Sequence, residues 1–430
     1  MPAGQGGYPR FLARLNGLGA LGVDLGLDRV RRALSVLGSP ERAIPAVQIA
    51  GTNGKGSTAA MTESILRCAG LATGLFTSPH LARFTERIRI RNREVDGERL
   101  ADLDAAVVAT GVPLTYFEVS AVLAFLCMAE DGVDVGVFET GLGGRLDAAT
   151  VCAAVTTAIT GISDDHRDVL GPTLRDIARE KAGIARSGVP LLLAPMSMSD
   201  DVEDEIRRAA ARAGAPLFVA DPGALIPAGA SIGLGGAHQR INAALAVALA
   251  RDACRHLGRS LPESAVRDGL RAVQWPARLE RIEAGGDATL LDCAHNAEAA
   301  QTLAAALAST AVRPRALVVS VVHGKDAATI LRILAPAVDF VIATRSRSER
   351  AMPAEMLAAM APGALVVPDP LVALSEARRR VGVAGLVVVA GSIFLAGQVR
   401  AALLGEPIDP VATSDPPTRG GPFAVLRGRT

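Results

Sequence analysis

The run Gly51-Thr52-Asn53-Gly54-Lys55-Gly56-Ser57-Thr58 combines the residue types that a phosphate cradle needs. Glycines let the backbone approach a ligand closely, so that its N–H groups can point at a triphosphate. Lys55 could then neutralise β and γ oxygens, with the hydroxyls of Ser57 or Thr58 close by at a helix N-terminus. The strict G-x-x-x-x-G-K-[ST] spacing is not met. Ile49 stands where its first glycine belongs, and Gly56 follows the lysine.

Lysine is rare in this chain. Of 45 basic side chains only Lys55, Lys181 and Lys325 are lysines, and the other 42 are arginines. Such a lysine is a candidate for chemistry closed to guanidinium, as a compact point charge or as a primary amine whose pKa moves. Lys325 lies in His323-Gly324-Lys325-Asp326 and could meet a phosphate or a carboxylate. Two acidic stretches supply what metal and phosphoryl chemistry requires: Glu139, which opens Thr140-Gly141-Leu142-Gly143-Gly144-Arg145-Leu146-Asp147, and Asp164-Asp165-His166. A hard cation such as Mg2+ favours oxygen ligands and keeps several waters. The glycines at 141–144 do not follow G-x-G-x-x-G, which argues against a dinucleotide site.

These residues need a scaffold that brings them together. Short apolar runs alternate with helical segments, as in a parallel sheet covered on both faces. Strands are expected at 46–50, 133–139 and 154–162. Helices are expected at 58–69, with Met61, Ile65 and Ala69 on one face, and at 118–130, 174–184 and 239–257. A second alternation begins near Ala288. Its strands are expected at 288–292, 316–321, 340–344, 364–367 and 386–389, with helices at 297–307, 327–335, 354–360, 372–381 and 394–404. The fold class is α/β, a P-loop-containing parallel-sheet domain (1–284) followed by a smaller Rossmann-like α/β domain (285–405). Gly285 and Gly286 mark the boundary, and 406–430 is a loose tail. In an open sheet of this kind ligands bind beyond the carboxyl ends of the strands, so Lys55, Glu139 and His166 are expected in one crevice.

Composition narrows the partners. The 430 residues are 50% hydrophobic, 21% charged and 3% aromatic, with a formal charge of +1. That suits a multi-domain enzyme and offers neither the basic surface nor the stacking rings that nucleic acid requires. The five cysteines form no C-x-x-C pair and read as reduced core residues. The longest apolar stretch, 385–397, is shorter than the roughly 20 residues of a membrane span, and 1–14 has no signal h-region. A cytoplasmic monomer, with neither membrane nor nucleic acid as partner, is expected.

In sequence order, the P-loop run, Thr77-Ser78-Pro79-His80-Leu81, Glu139 to Asp147 and Glu180-Lys181-Ala182-Gly183-Ile184 resemble the folylpolyglutamate synthase/dihydrofolate synthase branch of the Mur ligases. The resemblance continues through Gly236-Ala237-His238-Gln239-Arg240-Ile241-Asn242, Pro276-Ala277-Arg278-Leu279, Asp292-Cys293-Ala294-His295-Asn296 and Gly391-Ser392-Ile393-Phe394. It implies Mur ligase architecture and ATP-driven amide formation between L-glutamate and dihydropteroate or folate, through an acyl phosphate. It also implies that Thr52, Asn53, Gly54, Lys55, Gly56 and Ser57 hold the ATP phosphates. Asn242, Arg278, Asp292 and His295 would contact the nucleotide, and Ser78, Glu139 and His166 would coordinate Mg2+. The lysine matching Lys181 is carbamylated in the family, becoming an anionic metal ligand, and catalytic roles fall to Lys55, Lys181 and His166. Thr115, Tyr116, Phe117, Glu118, Leu146, Asp147 and Ala148 match positions lining a pterin pocket. The sequence departs from the family pattern at Ala149-Thr150, at Ser163-Asp164, at Cys293 and at Ala297, which bears on substrate preference. Another Mur-type ligase and a non-ligating P-loop ATPase are the rival readings.

Overall fold

The computed structural model describes residues 6–18, 25–195 and 199–409. Its larger sheet contains β1 (Pro45–Ala50), β2 (Thr73–Phe76), β3 (Ile88–Ile90), β4 (Arg93–Glu94), β5 (Val135–Glu139), β6 (Ala153–Ile159), β7 (Leu191–Leu193) and β8 (Leu217–Val219). The order is β4-β3-β2-β5-β1-β6-β7-β8. All neighbours run parallel except β2-β3 and β3-β4. Strands β1 and β5 are apolar and buried almost end to end, as a sheet covered on both faces requires.

The helix Lys55–Cys68 is buried on nearly every side from Gly56 to Leu66, rather than on the single face expected. It is wedged against the helices Gln239–His256 and Glu263–Ala272. Ser64 Oγ donates to the Gly269 carbonyl at 2.8 Å, and a Cβ on Gly269 would lie 2.5 Å from Ile65 Cα. Gly269 permits this close approach of Glu263–Ala272, and the buried alanines of Gln239–His256 pack in the same core.

The smaller sheet contains β9 (Glu280–Ala284), β10 (Asp287–Leu291), β11 (Arg315–Val319), β12 (Phe340–Ala343), β13 (Leu365–Val366) and β14 (Leu386–Ala390), in the order β13-β12-β11-β14-β10-β9. Strand β9 pairs antiparallel with β10. Gly285 and Gly286, at φ of 65° and 87°, therefore close a hairpin of the kind that needs two left-handed residues. They are not a linker. The second domain starts before Glu280, and the division at 284/285 is displaced because the polar, partly exposed β9 has no apolar run to announce it. Residues 406–409, expected to begin a loose tail, are fastened by hydrogen bonds to Arg83, Phe84 and Tyr8. Residues 410–430 lie outside the described residues.

If β9 is integral to the second domain, a fragment of residues 274–409 should melt cooperatively by circular dichroism. A fragment of 285–409, which exposes the edge of β10, should not. Equal melts would make β9 dispensable.

Candidate active site

Strands β5, β1 and β6 are neighbours, with Ile49 in register with Glu139 on one side and Ala158 on the other. Their carboxyl ends are laced together. Thr140 N–H donates to the Ile49 carbonyl at 2.9 Å, Thr160 N–H to Ala50 at 2.9 Å and Thr52 N–H to Gly161 at 2.8 Å.

The loop from Gly51 to Lys55 is tight because its glycines have neighbours where side chains would be. A Cβ at Gly54, whose φ is 87°, would lie 2.6 Å from Asn242 Oδ1. Gly56, which breaks the usual P-loop spacing, sits against Trp275, and its Cβ would lie 2.9 Å from the indole Nε1 and 3.4 Å from Glu139 Oε2. Lys55 opens the helix, and its Nζ donates to the Thr52 carbonyl at 3.0 Å. Ser57 is buried near Gln239, and the buried Thr58 Oγ1 has no partner.

Around this loop the expected residues converge. Buried Glu139 accepts the Ser78 N–H at 3.2 Å. Burial pushes its carboxyl above the usual range, opposed by Lys55 and Arg278. Lys181 follows a capping box made by Thr173 and Asp176. It is 5% exposed, and its Nζ donates to the Gly51 carbonyl at 2.7 Å. Burial brings its amine down to about 7, Lys55 acts in the same direction, and Asp165 and Asp147 oppose it. His166 holds a left-handed backbone at φ 55°, a strained conformation of the kind that concentrates at functional sites. Burial lowers its imidazole to about 3 against the pull of Asp165, which leaves the ring neutral.

Asp165 stands out in the sequence only as part of the Asp164-Asp165-His166 stretch, with no role of its own, yet it joins the two domains. Its carboxylate pairs with Lys325 and lies 3.8 Å from His295 Nε2. Burial alone would raise its pKa, but the facing His295, His166 and Lys325 hold it far below the carboxylate range. Asn53 and Asn296 make a second cross-domain contact by exchanging amide hydrogen bonds at 3.3 and 3.0 Å, and Asn53 also donates to Glu298 at 2.7 Å. Both contacts join residues far apart in the chain, a relation that sequence periodicity does not carry.

Half-buried Arg278 lies between Ala277 and Leu279, both left-handed at φ 54° and 48°. Asp292 fixes that bend by accepting the Leu279 N–H at 3.0 Å and the Ala294 N–H at 2.8 Å. His295 Nδ1 is 2.8 Å from the Cys293 carbonyl. Asn242 accommodates Gly54 and donates to Gln239.

Among the residues matched to a pterin pocket, several polar groups are engaged locally. Thr115 and Glu118 form a capping box, and Arg29 bonds Glu118 at 3.0 Å. Asp147 accepts the N–H groups of Gly141, Leu142 and Ala149 at 3.0, 2.9 and 2.9 Å. Tyr116 and Ala148 are buried, whereas Phe117 and Leu146 stay half-buried. Thr150 donates to the Gly144 carbonyl at 2.6 Å and so ties the same loop. Asp164 turns outward to pair with Arg167.

Residues 49–220 match the Mur ligase middle domain, and residues 277–393 match the Mur ligase glutamate ligase domain. The chain is 36% identical over 313 residues to a dihydrofolate synthase/folylpolyglutamate synthase of Bacillus subtilis, covering 66% of this chain and 72% of that one. It is 32% identical over 414 residues to a probable bifunctional folylpolyglutamate synthase/dihydropteroate synthase of Haloferax volcanii. That match covers 87% of this chain but only 48% of the relative, so the chain spans about half the relative's length. The structure of Escherichia coli FolC in complex with DHPP and ADP aligns with a TM-score of 0.81 at 29% identity, covering 94% and 99% of the two chains. A bifunctional folylpolyglutamate synthase/dihydrofolate synthase with Mn, AMPPNP and L-glutamate bound aligns equally well, at 0.81 and 30%, covering 92% and 98%.

The buried amine of Lys181 has a measurable consequence. Between pH about 7 and 10.5 the unfolded chain carries a proton on Lys181 that the native state lacks, so stability rises with pH through that window. In CO2-free buffer, melting temperatures should show this rise in the wild type and a smaller one in Lys181→Met. Parallel pH profiles would place the charged amine in the native core.

Proposed function

The chain belongs to the Mur ligase family, in its dihydrofolate synthase/folylpolyglutamate synthase branch, and from that premise we propose that it joins L-glutamate to dihydropteroate or folate at the expense of ATP. The convergence of Lys55, Glu139, Lys181 and His166 at the ends of β1, β5 and β6 carries the reading. In this proposal Thr52, Asn53, Gly54, Lys55, Gly56 and Ser57 hold the phosphates, Asn242 supports the loop, and Arg278, Asp292 and His295 reach the nucleotide from the far side of the crevice. Half-buried Phe117 and Leu146 offer the pterin an apolar edge, framed by Thr115, Tyr116, Glu118, Asp147 and Ala148.

A carboxylate is a poor electrophile. Transfer of the γ-phosphoryl group makes it an acyl phosphate and releases ADP. The glutamate amine then attacks the acyl carbon, the C–N bond forms, inorganic phosphate leaves with the C–O electron pair, and the amine gives up a proton. Lys55 is positioned to leave the Thr52 carbonyl for the phosphate oxygens. The second domain, joined through Asp165 and Asn53, brings the amine's binding surface against the acceptor.

A hard divalent cation would find oxygen donors in Glu139, a buried carboxylate that accepts the Ser78 N–H, and in the Ser78 hydroxyl, and the neutral imidazole of His166 would complete the set. Bound there, Mg2+ would offset charge on the transferring phosphoryl group. Lys181 suits carbamylation for a physical reason, because only an unprotonated amine attacks CO2 and burial supplies one near pH 7. The product is an anion beside the same site.

ADP release should require glutamate, Mg2+ and a pteroate or folate acceptor together. Coupled assays that find equal release without acceptor would identify a simple ATPase, and activity only with a nucleotide-linked sugar peptide would point to another Mur ligase. Lys181→Arg should fold yet lose roughly a hundredfold or more in turnover, the scale of a lost electrostatic contact in a reaction centre. Wild-type turnover in that variant would remove the carbamate from the account.

A further inference from the structure

The last described residues bridge the domain they follow to the ATP-binding domain. After the helix Ile393–Leu404 the chain turns back to the ATP-binding domain and grips the segment Leu81–Phe84. Glu406 Oε2 accepts from Arg83 at 3.2 Å and from Arg400 at 2.7 Å, which links that segment to the helix. Asp409 N–H donates to the Ala82 carbonyl at 2.9 Å. Its Oδ2 accepts the Phe84 N–H at 2.7 Å and the Tyr8 hydroxyl at 2.9 Å. The helix lies equally close, because a Cβ on Gly397 would fall 2.1 Å from the Leu81 carbonyl oxygen.

From within its own domain the segment is held by Glu86, which accepts the N–H groups of Leu81, Ala82 and Arg83 at 2.7, 3.1 and 2.9 Å. Just upstream is Ser78, whose N–H meets Glu139. The Ser78 loop is thus braced on one side by its own domain and on the other by the chain's final turn. Two carboxylates on backbone and guanidinium donors make charge-assisted bonds, the stronger kind.

We propose that Glu406 and Asp409 are positioning residues: they hold the Ser78 loop in register with Glu139 and so set the affinity of the nucleotide site for its divalent cation. The strap also ties second-domain placement to that affinity. This rests on the reading of Ser78 and Glu139 as metal-site residues.

The test uses the full chain with Asp409→Ala, Glu406→Ala and Asp409→Asn, the last keeping an oxygen for the Phe84 N–H. Hydrogen exchange at the amides of residues 81–84, measured without metal or nucleotide, should accelerate in the two alanine variants and less in D409N. Fluorescence of Trp275, the single tryptophan, follows binding of an ATP analogue. In the alanine variants the Mg2+ concentration for half-maximal binding should rise roughly tenfold, an ordinary coupling between sites, while binding without metal is unchanged. Unchanged exchange, or faster exchange with an unaltered Mg2+ requirement, would overturn the proposal. Ser78→Ala separates the two layers. If it leaves the Mg2+ requirement alone, the metal-site reading itself is wrong, whatever the strap does.

Discussion

The constraint on which the rest depends is the adjacency of β5, β1 and β6. Parallel neighbours in a sheet lie about 4.8 Å apart, so three chain segments that leave the same edge must share one small space. The hydrogen bonds from Thr140, Thr160 and Thr52 back to Ile49, Ala50 and Gly161 keep the strands in step past their last residues. A basic loop, a buried carboxylate and a strained histidine loop thereby face one another without any single segment carrying the whole site. The glycines follow from the same crowding, since at Gly54 and Gly56 the space for a side chain is already filled by Asn242, Trp275 and Glu139.

Placing so many ionisable groups together has an electrostatic cost, and the shifts show how it is distributed. Lys181 and His166 respond to burial by favouring their neutral forms, and Glu139 is pushed the same way. Asp165 alone is driven strongly towards its charged form, because cationic and imidazole groups from both domains face it. That carboxylate and the Asn53–Asn296 pair make the site a property of the domain interface. A motion of the second domain would change the electrostatic field at the loop from Gly51 to Lys55.

Most of the regular α/β alternation was legible, because buried parallel strands and amphipathic helices leave apolar runs of recognisable length. The P-loop was legible because a lysine flanked by glycines between strand and helix has few other uses. What escaped was whatever depends on pairing across distance. The hairpin β9-β10 looked like a linker because β9 is polar and only its partner makes it a strand. Short strands such as β2 and β3 lacked a run long enough to stand out, and the helices Gly97–Ala109 and Asp200–Ala213 are charged and bury only a few apolar side chains each. The reason for Gly56 lies in Trp275, remote in sequence, and Asp165 gains its importance from Lys325 and His295. Residues matched to the pterin pocket were found by resemblance alone, and several of them spend their polar groups on capping the loops that carry them.

The central claim is that His166 and Glu139 face a single nucleotide-bound cation beside Lys55. It is tested most directly by electron paramagnetic resonance of the chain loaded with Mn2+ and a non-hydrolysable ATP analogue. The account predicts nitrogen hyperfine coupling from an imidazole bound to the metal, lost on His166→Gln while the nucleotide remains bound. Coupling that survives this substitution, or its absence from the unsubstituted protein, would contradict the account.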